Sequence, residues 1–538
     1  MPGSLTVHRN PNWSDEKPSH PVSSQAKKNV TKKATKKKAY LTKSRYVDGL
    51  WCTRKLWRGV HQPAPEAAVR PFSPIDLGNR VGRGARILFP GGVEVPEESG
   101  AYSRAIDNTR ALLDNPKVPA LFEAAFEADG VRVRVDILER QPGGWRLCEV
   151  KAATAPSESH FHIDDIAVQV YVLQRAGLTV ESAQLIHINR DYRRSEGPLE
   201  WPQLLSRCDL TAEVTARLTT VKPRSASMFA VLAEDAEPDA DATRQLCFRP
   251  YRCPHWDRCI AARPDDWTGF LYRMHPNRLA ALNALGIESI RDIPGDFELP
   301  NHQALALNAI VSGETYVGAG LAEQLAPLAG PAWYMDFETL NPGIPPYSGT
   351  RPFERIPFQW SLHHREEDGS LSHRGFLAPG DVDPRRVFAE TLLDALGPGT
   401  EPVVVYNQSF ERGVLKDLAA LQPDLAEGLD AISARVVDLL PVVREHFFHP
   451  GFVSQRSLDS GTYSIKNVLN VLVPGLSYDG LQGVSQGTDA SNTFAALVFD
   501  PHSPEDDQAL RQQLRDYCQL DTLAMVQIQD ALTRYCSG

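Results

Sequence analysis

Two sets of acids in this chain have the types and order that divalent-metal chemistry requires. The first is Asp136 followed by Glu149-Val150-Lys151; the second is Asp336-Phe337-Glu338, then Asn407 to Glu411, then Tyr517 to Asp521. Carboxylate oxygens are hard donors that suit Mg²⁺ or Mn²⁺. A divalent ion so held polarises a phosphate and makes water nucleophilic, so both sets imply hydrolysis of phosphodiester bonds in nucleic acid. In the first set Lys151 is the type of group that orients the water or neutralises charge building on phosphorus. In the second, four carboxylates from distant segments repel one another unless cations join them, and two ions roughly 4 Å apart resolve that repulsion. Tyr517 would orient the attacking water.

These residues need elements to hold them. Val131-Arg-Val-Arg-Val-Asp136 alternates strictly, which predicts a strand with the valines on one face and Asp136 on the other. Pro142-Gly143-Gly144 is a turn signal, so Trp145–Ala152 reads as the paired strand, with Glu149 and Lys151 sharing a face beside Asp136. Residues 164–176 read as a helix carrying Gln169 and Tyr171, and 183–189 as a buried strand. Further on, the apolar run from Ala332 into Asp336 and Glu338 and the run Val403–Val405 read as buried strands. Helices are expected at 74–88, 385–397, 410–421, 464–472 and 507–533, with Thr42 and Ser464 as caps. Tyr517 and Asp521 are four apart on the last of these and share a face. Lys466 reaches a phosphate or is merely exposed on a capped helix; Trp256, Trp267, Tyr272 and Trp360 are base-stacking candidates or buried aromatics.

Alternation of strands and helices predicts an α/β fold in two blocks. The expected organisation is a basic tail over 1–39 with no fold of its own, a first domain over 40–265, a helical linker over 266–330 and a second domain over 331–538. The net charge is −10, but residues 1–46 carry eleven Lys or Arg against two acids, so the remainder is strongly acidic. The tail suits weak, salt-sensitive contact with nucleic acid or is a solvated extension. No apolar run approaches the roughly 18 residues a membrane span needs, and no secretory signal is evident. A cytoplasmic location with no membrane partner is therefore expected.

Eight cysteines in a chain of this size argue for metal or cluster binding before disulfides. Cys247, Cys253 and Cys259 are evenly spaced, and Cys52 lies far upstream. The close C-x₂-C knuckle that zinc favours is missing from this set. His255, inside the triplet, is an alternative ligand.

The order helix, strand with Asp136, strand with Glu149-x-Lys151, helix with Gln169 and Tyr171 resembles the RecB-like branch of the PD-(D/E)XK (restriction-endonuclease-like) nucleases. That resemblance implies Asp136 and Glu149 as metal ligands, Lys151 as catalytic, and Gln169 and Tyr171 as supporting residues. The branch often carries a histidine in its first core helix; here Gly82 stands in that stretch, with Glu123 as a substitute acid. Cys52, Cys247, Cys253 and Cys259 resemble the [4Fe–4S] staple of CRISPR-associated RecB-like exonucleases. The second set resembles the DEDD exonucleases of the ribonuclease H-like fold. It implies Asp336, Glu338, Glu411 and Asp521 as ligands and Tyr517 as water positioner, with Glu411 departing from the usual aspartate. Over residues 40–535 the chain resembles a bacterial family of fusions of these two nuclease types, the domain of unknown function 2779 family. The activity implied is Mg²⁺-dependent cleavage of nucleic acid, DNA before RNA, single-stranded or from ends, at two sites. The competing expectation is an inactive module that only binds nucleic-acid ends.

Overall fold

The computed structural model describes residues 40–65, 69–96, 102–240, 242–248, 251–454, 457, 461–481, 483–484, 486–500 and 504–537. The basic tail over 1–39 lies outside them. The strands in chain order are Leu41–Thr42 (β1), Val93–Glu94 (β2), Ala120–Ala128 (β3), Val131–Gln141 (β4), Gly144–Lys151 (β5), Val180–Ile188 (β6) and Leu205–Asp209 (β7). They continue with Tyr316–Val317 (β8), Ala332–Leu340 (β9), Ile356–Arg365 (β10), Leu371–Leu377 (β11), Val403–Val405 (β12), Val436–Asp438 (β13) and Phe447–Phe448 (β14). The fold is mixed α/β.

The first sheet runs β2-β3-β4-β5-β6-β7, with β1 added to β4. β3, β4 and β5 form an antiparallel meander, and the His162–Arg175 helix then leads into β6, parallel to β5. The alternation of β4 is realised as expected: Val131, Val133 and Val135 are buried while the intervening residues are partly exposed. The expected turn at Pro142-Gly143 joins β4 to β5. Thr42 caps the Lys43–Trp51 helix, its side chain accepting the Arg45 N–H at 3.1 Å.

The second sheet runs β11-β10-β9-β12-β13, with β9, β10 and β11 antiparallel and β12 and β13 parallel to β9. β9 is central and apolar on both faces, so helices must cover both. One face packs against the Arg385–Leu396 and Gln408–Leu421 helices, burying Trp333, Met335 and Phe337 with Phe388 and Val414. The other meets the long Pro504–Ser537 helix, where the Tyr334 hydroxyl donates to Gln529 Oε1 at 2.8 Å. The expected helix at 464–472 is Ile465–Leu472, capped by Ser464.

Residues 40–538 make one compact unit; beside a small third sheet of β8 and β14, its two large sheets are tied together by the loop after β9. Ile344 on this loop is buried in the core of the first sheet with Val81 and Phe89, and Phe353 packs against it. Two backbone hydrogen bonds fasten the join: Arg194 N–H to Thr350 O at 3.0 Å, and Gly349 N–H to Arg194 O at 2.7 Å. The cysteine-bearing segment shares its core with the second sheet: Cys247, Trp256 and Ile260 belong to the same buried cluster as Tyr334 and Phe358. Among the described residues, no helix is long and apolar enough to cross a membrane.

Candidate metal centres

β4 and β5 bring Asp136, Glu149 and Lys151 together. Asp136 Oδ2 accepts the Val150 N–H at 2.8 Å, leaving Oδ1 for other partners. Lys151 Nζ donates to Glu149 Oε1 at 2.7 Å and to Asp165 Oδ2 at 2.6 Å. Gln169 Nε2 donates to Glu149 Oε2 at 2.8 Å. Tyr171 stands elsewhere: its hydroxyl donates to Asp129 Oδ2 at 2.6 Å. Residues two apart on a helix do not share a face, so Gln169 and Tyr171 cannot both support one site.

Two residues join the site without having been anticipated. Asp165 lies four before Gln169, one helical turn away on the same face, and that spacing was a usable signal. Lys43, at the start of the Lys43–Trp51 helix, has its Nζ 3.1 Å from Asp136 Oδ1 and 3.1 and 3.2 Å from the two Glu149 oxygens. Nothing local in the sequence announces it.

Burial disfavours charge on Glu149, but Lys151 and Lys43 outweigh it and hold this carboxyl well below its usual range. Burial and the adjacent Glu149 push Asp136 up to about 6. Burial likewise opposes the Lys43 charge, yet Asp136, Glu149 and Asp165 more than restore it. Asp165 Oδ1 and Gln169 Oε1 are buried with no hydrogen-bond partner among the described residues, and such atoms call for an explanation such as an ion or water.

These groups open on a cavity of about 1770 Å³. Lys55, Arg83, Arg86, Arg134, Arg190 and Arg252 line it, with Phe353 from the loop after β9. Glu123 and Gly82 also face it. A Cβ on Gly82 would meet nothing within 4 Å, so the position has room for a larger side chain.

In the second sheet, Asp336 and Glu338 on β9 meet Asp521 on the Pro504–Ser537 helix. One oxygen from each lies within 4.8 Å of the others. Glu411, in the first turn of the Gln408–Leu421 helix, stays outside that group although its charge reaches both β9 acids. Its Oε2 is buried without a partner among the described residues, and burial pushes this carboxyl up to about 8. Burial, reinforced by the neighbouring acids, holds Asp336 and Glu338 well above the carboxylate range. Burial also pushes Asp521 up to about 6 against the pull of Tyr478, Lys466 and Tyr517.

Tyr517 is buried beside Asp521 as expected. Tyr478, which the sequence did not single out, donates its hydroxyl to Asp521 Oδ1 at 2.5 Å. The Lys466 ammonium lies 4.9 Å from the Tyr478 ring centre and 5.0 Å from that of Tyr517. Cys518 points its thiol at Asp336 Oδ2, 3.5 Å away. Trp256, Trp267 and Trp360 are buried, which leaves them no face for a base.

Cys52, Cys247, Cys253 and Cys259 line one small cavity with His255. The Cys253 N–H donates to Cys247 O at 2.6 Å, and Arg58 donates to Cys259 Sγ at 3.2 Å. Burial and the other three thiols push Cys247 up to about 12. Among the described residues no three of these ligand atoms come within 4.8 Å of one another. A tetrahedral zinc with Zn–S of about 2.3 Å would hold its sulfurs closer, at under about 4 Å.

Residues 333–457 match the domain of unknown function DUF2779. The matched stretch contains Asp336, Glu338 and Glu411 and ends before Lys466, Tyr517 and Asp521. No curated protein matches the chain.

Proposed function

We propose that this chain is a divalent-metal-dependent nuclease with two separate sites for phosphodiester hydrolysis, acting on DNA before RNA, on single strands or ends. The observation that carries the reading is the Asp336–Glu338–Asp521 triad: two buried carboxylates and the half-buried Asp336 gathered within 4.8 Å, their charged forms disfavoured until cations arrive. The donor set is all oxygen, which fits Mg²⁺ or Mn²⁺. Such ions supply Lewis acidity and an activated water. Tyr517 and Tyr478 hold Asp521 in place, and Lys466 offers a cation to a phosphate. Support for a ribonuclease H-like second domain comes from its sheet order and from the catalytic set spread over β9 and the last helix.

The first site is the weaker of the two in carboxylates and the richer in cations. Asp136, Glu149 and the orphaned Asp165 oxygen are its metal donors, and Lys151 faces the reacting phosphate. The meander, helix and parallel fourth strand support a PD-(D/E)XK assignment. The basic cavity suits a phosphate backbone. The resemblance to the cluster staple would place a [4Fe–4S] cluster on Cys52, Cys247, Cys253 and Cys259, and the reading is supported by their lining one small cavity. Iron and sulfide analysis of anaerobically purified protein tests the cluster; zinc in their place contradicts it.

A second reading is an end-binding module without turnover, favoured by Gly82 at the histidine position and by Glu411 outside the triad. Release of nucleotides from end-labelled DNA and RNA with Mg²⁺ or Mn²⁺, against a chelator control, separates the two. Metal-dependent release supports the nuclease; tight binding without release supports the module.

A further inference from the structure

The Lys43 ammonium sits where the two strand carboxylates of the first site converge, in contact with three of their oxygens at 3.1, 3.1 and 3.2 Å. Its position is built in. Thr42 caps the helix that begins with Lys43, and Leu41, fully buried, pairs through β1 with Val131 at the start of β4. Short local structure thus anchors the lysine's backbone directly beside the strand that bears Asp136. Lys151 already serves Glu149 and Asp165 from the other side, so Glu149 bears two ammonium groups while Asp136 relies on Lys43.

We infer, on the basis of the nuclease reading above, that Lys43 is a tethered counter-ion of the first site: it occupies the Asp136–Glu149 oxygens against divalent cations and transfers its charge to a substrate phosphate when those oxygens ligate one. Among the five charged groups in contact, three carboxylates face two ammoniums, leaving one negative charge. A divalent cation turns that into one positive charge, which a single phosphodiester monoanion cancels. Lys43 therefore has reason to shift toward the cavity rather than leave it. A lysine suits this exchange because it is a compact charge on a flexible stem, without the fixed fork of arginine. Retaining a cation at the carboxylates also keeps Asp136 and Glu149 from repelling each other when no metal is bound, which couples metal uptake to arrival of the anionic strand.

The test uses the full chain carrying Asp336→Asn and Asp521→Asn, so that divalent-ion uptake reports the first site alone. Binding of Mn²⁺ is measured by calorimetry, without nucleic acid, for this protein and for its Lys43→Met, Lys43→Gln and Lys43→Arg forms. The inference expects Lys43→Met to bind Mn²⁺ about ten-fold tighter or more, a difference of about 1.4 kcal/mol, and Lys43→Arg to return to weak binding. A lysine with a merely structural role would move affinity the other way, since losing it would loosen the site. Lys43→Gln keeps a donor without the charge and is read in the same way should Lys43→Met not fold. Equal or weaker Mn²⁺ binding in the neutral variants overturns the inference, as does absence of uptake in every form. Because this calorimetry reads no cleavage, the two fail separately: Mn²⁺ binding in this pattern, with no metal-dependent release in the end-labelled assay above, would sink the nuclease reading and leave the displacement of Lys43 by metal standing.

Discussion

Glu123 and Asp136 stand directly opposite each other on β3 and β4, at the one position where the pairing of these strands opens. On either side the register is constant, Phe122 with Ile137 and Ala124 with Val135. Glu123 itself has a positive φ of 57°, a conformation that costs a non-glycine residue on the order of 1–3 kcal/mol. Burial raises its carboxyl, while Lys43, Arg134 and Arg86 pull it back. Like charges directly opposed on a sheet are destabilising, so Glu123 faces Asp136 on the cavity at a cost to the fold, which fits the proposed metal site. Replacing Glu123 with Gly relieves the backbone, and Tm should rise by about 1–2 °C. Cleavage at the first site should fall about ten-fold or more, because a fourth acid beside Asp136, Glu149 and Asp165 is lost. Thermal melts and initial rates check this; a less stable variant of full activity would make Glu123 a structural residue.

Tyr478 and Tyr517 flank Asp521 and Lys466, and the 2.5 Å hydrogen bond from Tyr478 makes it the closer partner of the ligand. Tyr478→Phe and Tyr517→Phe should each lower nucleotide release at the second site by about 10², with the first site unaffected. Lys151→Met protein, which isolates the second site, is the background in which to measure it. Full activity of Tyr478→Phe alongside an inactive Tyr517→Phe would reduce Tyr478 to a packing role.

The second site also sets a direction for stability against pH. Its carboxyls have folded values raised above their ordinary ones, about 6 for Asp521 and about 8 for Glu411, with Asp336 and Glu338 higher than usual too. Groups raised in this way stabilise the fold fully below the unfolded value near 4 and lose that contribution as pH rises through the folded values. In a chelator, Tm should therefore fall between about pH 5 and pH 8, by roughly 3–8 °C. Mn²⁺ should remove most of the fall, and Asp336→Asn with Asp521→Asn should flatten it without metal. A chelated Tm that climbs over the same interval would contradict the assignment of raised carboxyls.

Much of this was legible because the signals are local. Strict alternation over Val131–Asp136 oriented Asp136, and two-residue spacing put Glu149 and Lys151 on one side of β5. The apolar run ending in Asp336 and Glu338 read correctly as a buried strand, and the four-residue step from Tyr517 to Asp521 as one helix face. Tyr171 was misread as a partner of Gln169 although a two-residue step on a helix turns it away. Lys43, Tyr478 and Phe353 reach their sites only through tertiary packing: a strand addition, a loop lying over the last helix, and a loop crossing to the other sheet. No periodicity encodes such approaches. Glu123 was noticed as an acid, but its φ belongs to the folded backbone alone.

The most direct test of two hydrolytic sites is the time course of product release from end-labelled single-stranded DNA with Mg²⁺. It compares the full chain with Asp336→Asn, with Lys151→Met and with the double variant. Each single variant should lose one class of products and keep the other, and the double variant should be slower than the unaltered chain by about 10³ or more. Degradation by the double variant at the rate of the unaltered protein would contradict both assignments at once.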